Sequence, residues 1–252
     1  MLAGARVILV GSLSPLGLEI ADRLSHHGAR VVGIDHRTGS TAPSLVSHVV
    51  ADMSQAEAAE AAVDDAAAIL GGLDCAVVGA AVQRRGRVWD TTDETWRAVM
   101  TGTLDTTFHT LRRSLQVLRR GGAVVAISSV NADLAHPASA AYAASKGAIN
   151  ALVRQSALDS APRGIRVNAV APSAVDGPAG THAGYPMGRT VSAREVADTI
   201  AFLASPLAAG ITGVVLPVDG GLSITSAAAM TRDSFVAELA DGANAFGDGR
   251  RG

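Results

Sequence analysis

The feature that most constrains this chain is an alternation of two kinds of segment. Short apolar runs at residues 6–10, 30–34, 48–50, 74–78, 123–128, 166–170 and 214–218 read as strands. Helix-like stretches at 16–27, 55–70, 92–119, 142–161 and 193–204 lie between them. The run Ala123-Val-Val-Ala-Ile127 is apolar throughout rather than alternating, so both of its faces must be covered. Strands of that kind in a β-α-β-α order predict a parallel sheet with helices on both faces and right-handed crossovers. Helix stops are legible at Gly28, at Gly71-Gly72 and at Gly121-Gly122. No linker or internal repeat breaks the pattern, so residues 1–221 read as one domain. Residues 222–252 are rich in Ala, Gly and Asp and read as a partly disordered tail, with a short helix at 234–240.

Composition narrows the function. A net charge of −2 gives no electrostatic reason to expect nucleic acid or an anionic membrane as a partner. Hydrophobic residues make up 48% of the chain, ample for a core, yet no apolar run approaches the ~18 residues of a membrane span. Cys75, the single cysteine, cannot form an internal disulfide and fits a reducing compartment. It sits in an apolar run and reads as an inert core thiol. The chain enters its first strand without a signal-peptide pattern, so a cytoplasmic protein is expected. The seven histidines have no metal-ligand spacing, and no metal is expected.

The chemistry is concentrated in Tyr142-Ala-Ala-Ser-Lys146, with Ser129 thirteen residues upstream. Tyr142 and Lys146, four apart, share a helix face. A lysine ammonium beside a phenol favours the phenolate and makes tyrosine a usable acid/base near neutral pH. Ser129 follows the apolar run at 123–127, where a hydroxyl can hold a substrate oxygen. At the other end of the chain, the first strand runs into Gly11-Ser-Leu-Ser-Pro-Leu-Gly17 and then a helix. Such a turn offers backbone N–H groups and a helix dipole to a pyrophosphate. Asp35 ends the second strand, where an acid accepts from a ribose 2′-OH and repels a 2′-phosphate. That favours NAD over NADP, although the nearby Arg37 works against the preference.

Taken together the chain resembles the short-chain dehydrogenase/reductase family, in its common form of ~250 residues, from Val7 to about Gly221. Ser129 with Tyr142-x-x-x-Lys146 matches the family's active site in type and spacing. Leu73-Asp74 opens the segment of its Asn-Asn-Ala-Gly motif. Arg163-Gly-Ile-Arg-Val-Asn-Ala-Val-Ala-Pro172 is similar to its sixth strand, and Ile211-Thr-Gly-Val-Val-Leu-Pro-Val-Asp-Gly-Gly221 to its last. The resemblance implies a seven-stranded, doubly wound, Rossmann-like α/β sheet with the cofactor across its carboxyl edge. It implies an oxidoreductase moving a hydride between NAD(H) and a secondary alcohol or ketone. Tyr142 would be the general acid/base, Lys146 its modulator and ribose ligand, and Ser129 the holder of the reacting oxygen. Gly11, Ser14, Leu16, Gly17, Asp35, Asp52, Met53, Gly79, Ala80, Pro172 and Val175 would line the cofactor with Tyr142 and Lys146. It also implies a homotetramer or dimer built on the helices over 92–119 and 142–161.

The departures from the family cluster around that trio. Pro15 replaces a glycine of the turn; it has no N–H to give and fits as a first helical residue behind a Ser14 cap. The hydroxyls of Ser12 and Ser14 are candidate replacement donors. The Asn-Asn-Ala-Gly motif reads Val78-Gly79-Ala80-Ala81, and the family's catalytic asparagine falls on Thr103. The segment between Pro172 and Pro186 is short for the family's lid and suggests an open pocket that the tail could cover. Tyr185, His182, His136 and Arg84 are candidate liners, each of which taken singly reads as an exposed loop residue. Two functions follow: an NAD-dependent oxidoreductase, or a degenerate relative that binds a nucleotide or partner without turnover. Intact Ser129, Tyr142 and Lys146 favour the enzyme; substrate and direction stay open.

Overall fold

The computed structural model describes residues 1–39, 42–178, 183–230, 232–234 and 236–237. Seven strands form one sheet: β1 (Arg6–Val10), β2 (Arg30–Asp35), β3 (Ser47–Val50), β4 (Cys75–Val78), β5 (Ala123–Ile127), β6 (Arg166–Pro172) and β7 (Val215–Val218). Their order is β3-β2-β1-β4-β5-β6-β7, and every neighbouring pair is parallel. The chain builds outward from β1 to β3, then returns and builds the other way from β4. That reversal opens a crevice at the carboxyl ends of β1 and β4, where ligands bind in such sheets. The helices are α1 (Pro15–His26), α2 (Ala56–Leu70), α3 (Asp93–Val99), α4 (Thr106–Val117), α5 (Ala140–Ser160) and α6 (Ala193–Ala204).

Each apolar run serves two cores because strand side chains alternate in direction. Val7 and Leu9 of β1 join Ile20 and Leu24 of α1 and Ile200 of α6 on one face. Ile8 and Val10 join Val63 of α2, Leu111 of α4 and Val153 of α5 on the other. Helix α1 buries Gly17, Ile20, Ala21 and Leu24, the stripe expected of an amphipathic helix on a sheet. Helix α6 starts with a capping box between Ser192 and Glu195. At its other end the buried Arg166 guanidinium donates to the carbonyls of Leu203 at 2.6 Å and Ser205 at 3.1 Å. A cation from β6 thus meets the negative end of the helix dipole.

The expected single helix over 92–119 is divided. A π-helical stretch, Met100–Asp105, joins α3 to α4. The wider turn accommodates a seam with the segment after β4: Thr103 is fully buried, and its Oγ accepts from the Val82 N–H at 2.9 Å. Such turns insert one residue into a helix without breaking it. After β7 the chain makes a 3-10 turn at Leu222–Ile224 and a helical turn at Ala227–Met230. Of the tail helix expected at 234–240, residues 234, 236 and 237 are described and helical; the remainder lies outside the described residues.

Candidate active site

The turn after β1 is built around two close approaches. Gly11 has φ +83, and a Cβ there would lie 2.8 Å from the Ala80 nitrogen, so only glycine lets the β1 and β4 turns meet. Pro15 is the first residue of α1 and Ser14 its cap, as expected: the Ser14 Oγ accepts from the Gly17 N–H at 3.0 Å. That hydroxyl also donates to the Gly11 carbonyl at 2.9 Å. Ser12 is fully buried with an unpartnered hydroxyl beneath Gly33. Within the turn the Ser14 hydroxyl is thus engaged, while that of Ser12 is not. In the first turn of α1 the Leu18 N–H is taken by the Ser14 carbonyl. The Leu16 N–H is left without an acceptor among the described residues, as first-turn groups are when they await an anion.

A cleft of about 280 Å³ runs along the carboxyl edge. It is lined by Gly11 and Ser14 after β1, Asp35 at the end of β2, Asp52 and Met53 after β3, and Gly79 and Ala80 after β4. Seven residues far apart in sequence thus converge on one space. Leu16 and Gly17 lie behind it in the first turn of α1. Pro172 ends β6, and Val175 makes an isolated bridge with Val191.

Asp35 is nearly inaccessible and already engaged. Arg37 grips it through Nε at 2.9 Å and Nη2 at 3.0 Å, and the Leu13 N–H donates to it at 3.1 Å. Burial pushes its carboxyl pKa up, but these bonds outweigh it and hold the group at about 2. Asp52 binds the Ser54 N–H and hydroxyl at 3.0 and 2.7 Å, and Ser54 holds its carboxyl below the usual range. Arg37 is close to Asp35 in sequence, but the closed fork shows only in three dimensions.

Ser129, Tyr142 and Lys146 meet where β5 ends. Ser129 caps a short 3-10 turn at Val130–Ala132, accepting from the Asn131 N–H at 3.1 Å. Its side chain hydrogen-bonds Tyr142, in the first turn of α5. Lys146, one turn further on, is 2% exposed. Its Nζ donates to the Ile127 carbonyl at 2.6 Å and lies 5.6 Å from the centre of the Tyr142 ring. Burial brings the lysine down to about 8. Burial also pushes the Tyr142 phenol up, against a downward pull from Ser129. The expectation of a tyrosine lowered by its lysine is therefore reversed in the chain alone, because the ammonium is turned to a backbone carbonyl and the phenol is shielded from water. Thr103 also donates to the Val82 carbonyl at 3.3 Å, so its hydroxyl serves that segment in both directions.

The sequence reading missed a polar support behind the lysine. Ser128 Oγ donates to Asn150 Oδ1 at 2.5 Å, and Asn150 Nδ2 to Asp133 at 3.3 Å. The signal available was Asn150, one helical turn beyond Lys146.

Beyond Ser129 lies a second cavity of about 490 Å³, bounded by Val130, Asn131 and Leu134 on one side and Leu222 and Met230 on another. The tail's first residues thus wall it, together with Ala183 and Gly184 of the short loop. Of the other candidates, His136 lines this cavity, while Tyr185 is buried and accepts from the Ala174 N–H at 3.3 Å. Arg84 is exposed, and His182 lies outside the described residues. Among the described residues no three His, Cys, Asp or Glu side chains could hold a metal ion, and no helix is long and apolar enough to cross a membrane.

Comparison with known proteins agrees with this architecture. A family model described as enoyl-(acyl carrier protein) reductase matches residues 11–223. Galactitol 2-dehydrogenase (L-tagatose-forming) of Cereibacter sphaeroides is 33% identical over 246 residues, 88% of this chain and 96% of that protein. The 3beta-hydroxysteroid dehydrogenase 1 of Eggerthella lenta is 32% identical, covering 88% and 95%. Among solved structures, the 3-ketoacyl-(acyl-carrier-protein) reductase of Brucella melitensis complexed with NADH superposes with a TM-score of 0.82 at 28% identity, over 88% of this chain and all of that one. These relatives are oxidoreductases of alcohols and ketones, and the chain belongs to the short-chain dehydrogenase/reductase family.

Proposed function

We propose that the chain is an NAD-preferring dehydrogenase/reductase that interconverts a secondary alcohol and its ketone. The observation that carries this reading is the continuity of the carboxyl edge. The cleft at Gly11, Asp35 and Ala80 lies on the same edge as the Ser129–Tyr142 pair. The cleft fits a dinucleotide by its chemistry: a glycine turn, an unspent Leu16 N–H at a helix start, and an acid at the end of β2. When bound, the nicotinamide supplies or accepts the hydride.

The chain's own residues do the rest. Leu16 and the dipole of α1 receive the pyrophosphate. Asp35 faces the adenosine ribose with Arg37 tempering its charge, Asp52 and Met53 bound the adenine, and Gly79 and Ala80 allow close passage of the cofactor. Pro172 and Val175 flank the carboxamide. Ser129 holds the reacting oxygen. Tyr142, protonated in the chain alone, gives its proton to a carbonyl oxygen as the hydride arrives at the carbon, and takes it back from the alcohol in reverse. Lys146, which donates to the Ile127 carbonyl in the chain alone, would hold the nicotinamide ribose, and its charge there would favour the phenolate. Thr103 acts as a positioning residue for the segment at Val82.

A cytoplasmic homotetramer or dimer belongs to the same reading. Leu104, Phe108 and Leu152 border a shallow apolar hollow between α4 and α5, and the Cys75 thiol is buried and raised to about 12, out of reach of oxidation. Fluorescence titration tests the cofactor assignment: NADH should bind more tightly than NADPH, and equal or reversed affinities would overturn it. Tyr142→Phe should abolish turnover while leaving thermal unfolding in place. A second reading, a nucleotide-binding relative without turnover, is favoured by Pro15 and by the engaged Thr103 hydroxyl. Tight NADH binding with no activity across alcohols and ketones would select it.

A further inference from the structure

Ser129 sits on a short turn whose two ends are held by one side chain. Ser128, the residue before it, is buried at the end of β5, with its N–H on the Val170 carbonyl at 2.8 Å. Its hydroxyl donates to Asn150 Oδ1. Asp133 closes the turn: its N–H donates to the Val130 carbonyl at 3.1 Å, and its carboxylate accepts from Asn150 Nδ2. Asn150 itself is buried on α5, the helix that carries Tyr142 and Lys146. One amide thus fastens that helix to both ends of the turn bearing Ser129. The amide can sit only one way round. A carboxylate accepts and does not donate, so Nδ2 must face Asp133 and Oδ1 must face Ser128. Ser128 has a single hydroxyl proton, and Asn150 at 2.5 Å takes it in preference to the Lys146 carbonyl at 3.4 Å.

We propose that Asn150 is a positioning residue for the reaction, a role that rests on the oxidoreductase reading above: it sets Ser129 against Tyr142 and keeps the Ile127 carbonyl over the Lys146 ammonium. The two contacts that matter flank the amide's grip. One is the Ser129–Tyr142 hydrogen bond, and the other joins Lys146 to Ile127, the residue just before Ser128. None of Ser128, Asp133 and Asn150 lines the cofactor cleft, so their effect falls on proton transfer and not on cofactor affinity. Asn150→Leu keeps the bulk and removes both bonds. The Ser128 hydroxyl is then left unpaired, the turn comes loose from α5, and water reaches Lys146.

Lys146 is the only lysine in the chain, so labelling with ¹³C-lysine gives one side-chain signal whose titration reports its surroundings. The cofactor-free protein suffices, and the wild-type midpoint should lie at about 8. Asn150→Leu should raise it by about one unit or more, because hydration relieves the burial that lowers it. Asp133 is exposed, and two variants there lose the same charge but differ in the acceptor they offer. Asp133→Leu should raise the midpoint by about half a unit or more, while Asp133→Asn should hold it within about 0.3 unit of wild type. In steady-state oxidation of cyclohexanol with NAD, Asn150→Leu should lower kcat about tenfold or more and change the KM for NAD less than about twofold. A midpoint unmoved or lowered in Asn150→Leu would overturn the proposal. So would equal shifts in the two Asp133 variants, which decide the matter if Asn150→Leu does not fold. A raised KM for NAD with kcat intact would overturn it as well. Raised midpoints in a chain inert toward alcohols and ketones would uphold the grip on the turn and sink the oxidoreductase reading.

Discussion

Lys146→Met separates what this lysine does for chemistry from what it does to the fold. The ammonium is 2% exposed, and burial lowers its pKa from 10.5 to about 8, which corresponds to about 3 kcal/mol. The sign follows from proton binding. Below pH 8 the group is charged in both states, and the folded chain bears the whole cost. From there up to 10.5 the folded chain releases a proton that the unfolded chain keeps, so stability rises with pH. Above 10.5 both states are neutral and the cost is gone. Methionine fills a similar volume and has no such dependence. It forfeits the bond to the Ile127 carbonyl, about 1–3 kcal/mol, so the variant should lie within about 2 kcal/mol of wild type near neutrality. By about pH 9.5 the wild type should have recovered about 2 kcal/mol relative to the variant. Urea unfolding of the cofactor-free protein at about pH 7 and about pH 9.5 measures both differences. A gap that is the same at the two pH values, within about 0.5 kcal/mol, would refute a charged, buried Lys146. Turnover should be lost in the variant at either pH.

Three further outcomes follow from the cleft and its supports. Arg37→Ala removes the guanidinium from both oxygens of Asp35 and leaves the backbone N–H bonds of residues 13 and 37, so the NADH-to-NADPH affinity ratio should rise about tenfold, about 1.4 kcal/mol, in a fluorescence titration. Ser14→Ala removes the cap on the Gly17 N–H and should cost about 1 kcal/mol in chemical denaturation, with weaker cofactor binding. Thr103→Val leaves the Val82 N–H unpaired; it should cost about 1–3 kcal/mol of stability and raise the KM for the cofactor more than it lowers kcat.

Much of this molecule was legible in its sequence because its five inner strands are buried on both faces. Continuous apolar runs such as 123–127 admit few other placements, and the seven strands fall within two residues of the runs that predict them. The Ser14 cap on Pro15 was legible for a similar reason: a proline with a serine before it fits the start of a helix and little else. What escaped depends on contacts between distant segments. The π-helical turn answers to Val82, which lies 21 residues from Thr103, and helical periodicity across 92–119 carries no trace of it. The direction of the Tyr142 shift escaped too, because spacing places Lys146 on the right face without saying that its ammonium reaches for Ile127 instead.

The same π-helical turn fixes how the two halves of that long helix are phased. One residue inserted into a helix of 3.6 residues per turn rotates everything after it by about 100°. In α4 that rotation leaves Phe108 facing outward, while Thr107, Thr110 and Leu111 face the sheet. Deleting a single residue between Met100 and Asp105 would turn the helix back by the same angle, bringing a solvent-facing row toward the core and carrying Leu111 out of it. Helix phase is therefore set at the one place where Thr103 grips Val82, and the surface that α4 offers to a neighbour depends on a buried hydroxyl several residues away.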